Sequence, residues 1–343
     1  MLAEKPTQTL STEIIKGDAV FTLLADEWDP LVEKSMTHTP FQYLSYQKAW
    51  WDHLQPENSE LNTVVVRDNG VLIGIACLYV VGDLVHFNGC VEETDYLDVI
   101  TAEENAERVW TAVFNTLCSP EYPDWELLEL CYIPAESPSR SIIPKLADQQ
   151  SYTFVETVNE VCPIIDLPAT FDEYLAQIDG KQRREIKRKL RRANGAGAEL
   201  VIIGPEDDID EAVDEFLTLL RKSTFEKRDW LTDGRCAMFH DAAKAAMEAG
   251  ILQLLFMEVN GRKAATLFNF DYDGRIWVYN SGLDPEAFGN LSLGVVLTAK
   301  AIELAIENGR KDFDFLRGDE IYKYRFGAKD TYIYRLNVTR CDQ

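Results

Sequence analysis

The strongest constraint on this chain is internal: one order of turns, strands and helices occurs twice, with Asn69 and its counterpart Asn260 heading turns 191 residues apart. In the first half the β-branched run NTVVVR (62–67) leads through Asp68-Asn69-Gly70 into VLIGIACLYVV (71–81), and a second turn follows at Gly82-Asp83. In the second half ILQLLFMEV (251–259) leads through Asn260-Gly261 into RKAATLFNFDY (262–272), then through Asp273-Gly274 into RIWVYN (275–280). Such runs bounded by Asn-Gly and Asp-Gly turns predict antiparallel hairpins. Downstream, spaced apolar residues predict helices over about 102–117 and 292–308, each followed by a short strand, WELLELC (125–131) and DFDFL (312–316). A short helix and one more strand close each half: SIIPKLA then YTFVETV, EIYKYRF then YIYRLNV. The pattern predicts a duplicated α/β (α+β) domain. A strand, helix, strand crossover makes a parallel pair, so each sheet is expected to be mixed but mainly antiparallel.

The boundary is placed at Leu167-Pro168, giving domains 1–167 and 168–343. Beyond it, Thr170 with Glu173 fits a capping box that opens the helix TFDEYLAQI, which stops at Asp179-Gly180. The next segment, KQRREIKRKLRR (181–192), carries eight Lys or Arg in a chain with 58 acidic and 34 basic residues and a formal charge of −24. On a helix over 181–194, Ile186, Leu190 and Ala193 form one narrow apolar stripe, and Asn194-Gly195 supplies a stop. The eight cations repel one another unless acidic neighbours or an anionic ligand offset them. Read from charge alone, the segment is a linking helix solvated against an acidic body, or a lure for phosphate or carboxylate groups of a substrate. The overall acidity argues against a chain that grips DNA or RNA over a broad surface.

The longest near-apolar run, VLIGIACLYVVG (71–82), is too short to span a bilayer, and MLAEKPTQTLSTEIIKG lacks the basic and apolar regions of an export signal. The expected compartment is the cytoplasm. Seven cysteines (77, 90, 118, 131, 162, 236 and 341) include no C-x-x-C pair and read as reduced core thiols. The four histidines (38, 53, 86 and 240) show no ligand spacing, so no metal is expected.

The stretch DFDFLRGDEIYKYRFGA (312–328) resembles the C-terminal signature of the CelD-like acyltransferases, a branch of the GNAT (N-acetyltransferase) superfamily. TPFQYLSYQKAWW (39–51), the Asp95-Tyr96-Leu97-Asp98 run, FDEYLAQIDGKQRREIKRKLRR (171–192) and LSLGVVLTAKAIELAIENG (291–309) extend the likeness along most of the chain. A more distant likeness is to the Fem-type aminoacyltransferases. The resemblance implies two tandem GNAT-like domains and an acyl-CoA-dependent transferase, moving an acyl group, acetyl in the first place, directly to an amine or hydroxyl of a small-molecule, sugar or cell-envelope precursor. It further implies a cofactor on the second domain, at the turn Ser292-Leu293-Gly294-Val295, where helix-start amides favour a pyrophosphate. Family relatives commonly carry Ser-Pro-Gly at that turn, so this one is sparse. The first half begins its helix with TAEEN, whose glutamates repel phosphate, so one cofactor site is expected.

Acyl transfer needs a base for the acceptor, polarisation of the carbonyl and a proton for the leaving thiolate. The signature nominates Asp319 or Glu320 as base or orienter, Tyr322 as proton donor, and Arg317 and Lys323 as contacts to an anionic group of the cofactor. A capped helix with core aromatics and a surface Asp319–Lys323 pair would read the same way. Asp95 and Tyr96 in the first half, with Trp230, Asn269, Tyr279 and Ser281 in the second, are candidate acceptor contacts. A buried asparagine held within the fold is the competing account of Asn269. Two alternatives stand beside the acyl-CoA enzyme: a Fem-type aminoacyltransferase using charged tRNA, and a non-catalytic binding protein on a degenerate fold.

Overall fold

The computed structural model describes residues 10–90 and 93–340. The opening residues on which the export-signal reading chiefly rests, and Cys341, lie outside them. Two compact units divide the chain: one runs up to Glu160 and takes in the segment that starts at Tyr332, and the other is Val161–Thr331. This division differs from the boundary expected at 167/168 in two ways, because the cut lies within a strand and the C-terminal segment joins the first unit.

In the first unit the strands are β1 (Leu10–Lys16), β2 (Ser59–Asp68), β3 (Val71–Ala76), β4 (Leu78–Val81), β5 (Leu84–Phe87) and β6 (Leu127–Pro134). Its helices are α1 (Ala19–Leu23), α2 (Trp28–Val32), α3 (Leu44–Leu54), α4 (Ala106–Leu117) and α5 (Ser139–Gln149). The run 71–81, expected as one strand, breaks at Cys77: β2 pairs with β3 through Val64–Asp68 and with β4 through Ser59–Leu61. One apolar run thus serves two stretches of the same long partner. β4 and β5 are antiparallel, whereas β5 and β6, joined through α4, are parallel over Leu84–His86 and Leu127–Glu129.

The second unit repeats this plan. It starts in β7 (Thr153–Asp166), continues through α6 (Phe171–Gln177), α7 (Gly180–Gly195), β8 (Ala198–Ile202), α8 (Ile209–Ser223), α9 (Phe225–Trp230) and α10 (Asp233–Glu248), and reaches the meander β9 (Leu252–Val259), β10 (Arg262–Tyr272) and β11 (Arg275–Leu283). α11 (Leu293–Glu307) crosses to β12 (Asp312–Asp314), and α12 (Ile321–Arg325) and β13 (Lys329–Thr339) end the chain. The meander is antiparallel and β11–β12 is parallel, so the mixed sheet is the expected one. α11 is mostly apolar and largely buried, with Val296, Leu297, Ala299, Ile302 and Ala305 in the core against Leu255, Leu267 and Ile276 and the Lys300–Glu303 pair on its outer side. The Thr170–Glu173 capping box is present, and Asp179 caps α7 through the amides of Lys181 and Gln182.

The closing strands do not serve the halves they follow in sequence. In the first unit β6 pairs with Ile333–Thr339 of β13, and in the second β12 pairs with Ile164–Asp166 of β7. Each sheet takes its last strand from the other repeat.

The expectation of reduced thiols fails at two positions, since Cys90 and Cys131 are joined in a disulfide. Their Cα atoms stand 5.9 Å apart, within the range a disulfide spans. The chain folds the turn after β5 against β6 and so brings together cysteines 41 residues apart, a pairing that sequence spacing does not reveal. Among the described residues, Cys77, Cys118, Cys162 and Cys236 take no part in a disulfide.

Candidate active site

β11 and β12 are partners over three residue pairs only, Arg275–Trp277 against Asp312–Asp314. Beyond Trp277, β11 continues to Leu283 beside β10. β12 ends because the fully buried Asp314 accepts the amide of Leu316 at 2.8 Å, and the chain then turns through left-handed backbone at Leu316 (φ 55°) and Gly318 (φ 103°). The two strands therefore splay, and a cavity of about 360 Å³ fills the wedge. Its apolar wall comes from Leu267, Val278, Leu283, Val295, Leu297, Phe315 and Phe326, and its polar wall from Ser223, Thr224, Lys227, Thr266, Ser281, Thr298, Glu320 and Tyr322. Gly282 is required there: a Cβ would meet the Leu220 amide nitrogen at 2.6 Å, so only glycine lets α8 lie on β11.

The hydroxyls of Ser223, Thr266 and Thr298 donate to the carbonyls of Leu219, Leu255 and Gly294, and Thr224 caps α9 by accepting the Lys227 amide. The lining side chains with titratable groups are Lys227, Glu320 and Tyr322. Burial lowers the Lys227 ammonium to about 8, against a smaller opposing pull from Glu320 and a further push from Lys323. Its Nζ donates to Asn280 Oδ1 (3.1 Å) and to the Ser281 carbonyl (2.5 Å). Burial, with Glu320 beside it, pushes the Tyr322 hydroxyl above the ordinary phenol range, so it keeps its proton. Its ring stands edge-on to Phe315 at 5.9 Å.

Lys323 has a different task from the one expected. It is buried, and its Nζ donates to the carbonyls of Leu316 (3.1 Å), Arg317 (2.6 Å) and Gly318 (3.0 Å) while pairing with Glu320 at 2.9 Å. The signature lysine clamps the loop that ends β12, and with its donors spent it is not a cofactor contact. The expected Asp319–Lys323 pair is replaced by Glu320–Lys323, one residue closer in sequence. Glu320 rather than Asp319 occupies the N-cap of α12.

Ser292 takes the N-cap of α11, but in left-handed backbone (φ 56°) its hydroxyl caps nothing, contrary to expectation. Gly294 and Val295 line the cavity, whereas the Leu293 side chain is core. At the start of α11 the amides of Val295 and Val296 donate to the Ser292 carbonyl at 3.0 and 3.1 Å, so the helix-start donors left open are those of Leu293 and Gly294. Beside them lies the basic helix: α7 packs along α11 and against the turn 289–291. Lys181, Gln182, Glu185, Lys189 and Arg325 line a groove of about 330 Å³ that shares Val295, Tyr322 and Phe326 with the cavity. Part of the charge on α7 is matched locally, Arg188 and Lys189 by Glu185 and Lys187 by Asp172.

Of the other nominated residues, Ser281 lines the cavity and Asp319 is exposed outside its lining. Arg317 contributes its carbonyl to the Lys323 clamp. Tyr279 packs in an aromatic cluster with Phe239, Phe268 and Phe270, and Trp230 stacks with Arg235 and Phe239. Asn269 is fully buried and donates to Gln253 at 2.8 Å, the within-fold role of the competing account. Asp95 and Tyr96 are buried in the first unit. Lys227 was missed because a lysine in FEKRDW reads as a solvated charge on a short helix. Only the cavity gives it a role.

Coenzyme A is the group a GNAT fold implies, and the site fits it. The splay offers an apolar slot for a narrow arm, Gly294 leaves helix-start backbone open with its nearest would-be Cβ contact, Leu283, at 3.7 Å, and cations of α7 flank the same helix start.

Residues 180–324 match the model of the acetyltransferase (GNAT) domain. Among solved structures, FemX aligns at a TM-score of 0.67 with 11% identity, over 94% of this chain and 96% of that one. The L-PGS of Bacillus licheniformis aligns at 0.59 with 11% identity, over 93% and 92%. A tandem GNAT protein from the clavulanic acid biosynthesis pathway aligns at 0.51 with 12% identity, over 97% and 100%. This is a tandem GNAT fold. No curated protein matches the sequence.

Proposed function

We infer that the second unit is an acyltransferase that takes an acyl group, acetyl in the first place, from acyl-CoA to an amine or hydroxyl in the β11–β12 wedge. The observation that carries this reading is the wedge itself, a slot with an apolar wall that ends at the start of α11 and is edged by the cations of α7. The signature at 312–328 supports the narrower likeness to the CelD-like branch. The amides at the start of α11, with Lys181, Lys189 and Arg325, are the groups that would hold phosphates.

Bound coenzyme supplies the acyl thioester, and the remaining requirements fall to side chains. Neutral Lys227 spends its two N–H bonds on Asn280 and the Ser281 carbonyl and keeps one lone pair for a proton from the acceptor. With its ammonium lowered to about 8, an appreciable share is neutral at physiological pH. Tyr322 holds the proton that a departing sulfur needs. Glu320, tied to Lys323, places negative charge beside Lys227 and orients a cationic acceptor.

One observation favours a second reading. The basic groove shares walls with the cavity, and FemX has a similar fold, so an aminoacyl-tRNA could serve as donor with its phosphates on α7. Thermal midpoints separate the readings, because a ligand at about 100 times its Kd stabilises by about 2.7 kcal/mol. CoA and acetyl-CoA should raise the midpoint, and the double substitution Lys181→Glu, Lys189→Glu should remove the rise without lowering the unliganded midpoint. A rise only with charged tRNA moves the assignment to the second reading. No rise with either leaves a non-catalytic binding protein.

A further inference from the structure

We propose that, once the Cys90–Cys131 disulfide is reduced, His86, Cys90, Glu129 and Cys131 form a binding site for a borderline-soft divalent cation, zinc in the first place. The site lies in the first unit and is independent of the transferase reading.

Strand geometry builds it. The parallel register of β5 and β6 sets His86 beside Glu129, and strand alternation puts Glu129 and Cys131 on one face of β6. The turn after β5 closes with the Cys90 amide on the Phe87 carbonyl at 2.9 Å and brings Cys90 back over the same strands. One donor atom each from His86, Cys90 and Glu129 lies within 4.8 Å of the others. Cys131 is the sulfur bonded to Cys90, so reduction adds a fourth donor at the same point. His86 Nδ1 is buried without a hydrogen bond, 3.5 Å from Glu129 Oε1. Both cysteines are buried.

Two thiolates, an imidazole and a carboxylate are a donor set that holds zinc tetrahedrally with bonds of about 2.0–2.3 Å; reduction frees the two sulfurs to move apart while the imidazole and carboxylate close in from within 4.8 Å. Charge also closes. The thiolates and the carboxylate carry three negative charges, the cation two positive, and Arg335 supplies the last at 3.3 Å from Glu129 Oε2. In the formation step a dithiol reductant gives two electrons and two protons to the disulfide and is itself oxidised to a disulfide. The cation then displaces both thiol protons to solvent. Sequence spacing hides the set because its two pairs, H-x-x-x-C and E-x-C, lie on different strands.

The test is a cobalt(II) titration of the full chain, reduced with a dithiol under argon in chelator-treated buffer, followed by zinc(II). One equivalent of cobalt should give tetrahedral visible bands with sulfur-to-metal charge transfer, and zinc should bleach them. The oxidised chain should give neither. His86→Ala and Cys131→Ser should weaken binding at least about tenfold, the loss that even a supporting outer partner causes, while Cys77→Ser should leave it intact. Substoichiometric binding, or His86→Ala behaving as the parent, overturns the proposal. Should a variant unfold, alkylation of the reduced parent decides: zinc must slow labelling of Cys90 and Cys131 but not of Cys118, and equal labelling overturns it.

Discussion

Replacing Lys227 by Met separates a working residue from a structural one. The fold lowers its ammonium from an ordinary 10.5 to about 8, so at about 1.4 kcal/mol per pH unit the charged form costs about 3 kcal/mol at neutral pH. The variant escapes that cost but loses bonds to Asn280 and the Ser281 carbonyl, worth about 1.5–3 kcal/mol each from a charged donor. The two effects offset, and urea unfolding at pH 7 should place Lys227→Met within about 2 kcal/mol of the parent. The sign with pH follows. The cost to the parent is fully present below pH 8 and fades as pH rises towards 10.5, so the parent should gain about 3 kcal/mol on the variant across that window. Acyl transfer should fall by about 10² or more, the usual scale for a general base, in a thiol-release assay with acetyl-CoA and an amine acceptor. A stability difference that does not move between pH 7 and 10.5 refutes the burial argument. Turnover within threefold of the parent refutes the role.

Lys323→Met, one turn along from the N-cap of α12, should behave in the opposite manner. It strips three carbonyls and Glu320 of a buried partner, so chemical denaturation should show a loss of about 3–5 kcal/mol. In the first unit Asp98 is pushed up to about 6 by burial, although Ser137, Ser139, Thr37 and the Val99 amide all donate to it. A raised carboxyl gives stability that is complete below about pH 4 and lost as pH rises through 6, about 3 kcal/mol in all. Urea midpoints of the parent should show that decline, and Asp98→Asn should flatten it.

Local grammar determined much of this protein. Asn-Gly and Asp-Gly turns allow few backbones other than tight reversals, and an apolar period of 3.6 allows little but a helix, so the duplicated plan, the mixed sheet, the Thr170 cap and the basic helix could be read from residues alone. The signature at 312–328 lies on the turn of chain that edges the cavity, which Tyr322, Gly294, Val295 and Ser281 line. Tertiary structure decided the rest. Lys227, Lys323 and Glu320 are all charged residues near short helices, and only the packing tells which charge is buried in a wall, which clamps carbonyls and which meets solvent. The exchanged closing strands escape sequence for a related reason: two similar strands ending two similar repeats satisfy either sheet edge equally well by pattern. The His86, Cys90, Glu129 and Cys131 cluster exists only because parallel pairing of β5 and β6 sets side by side residues some forty positions apart in the chain.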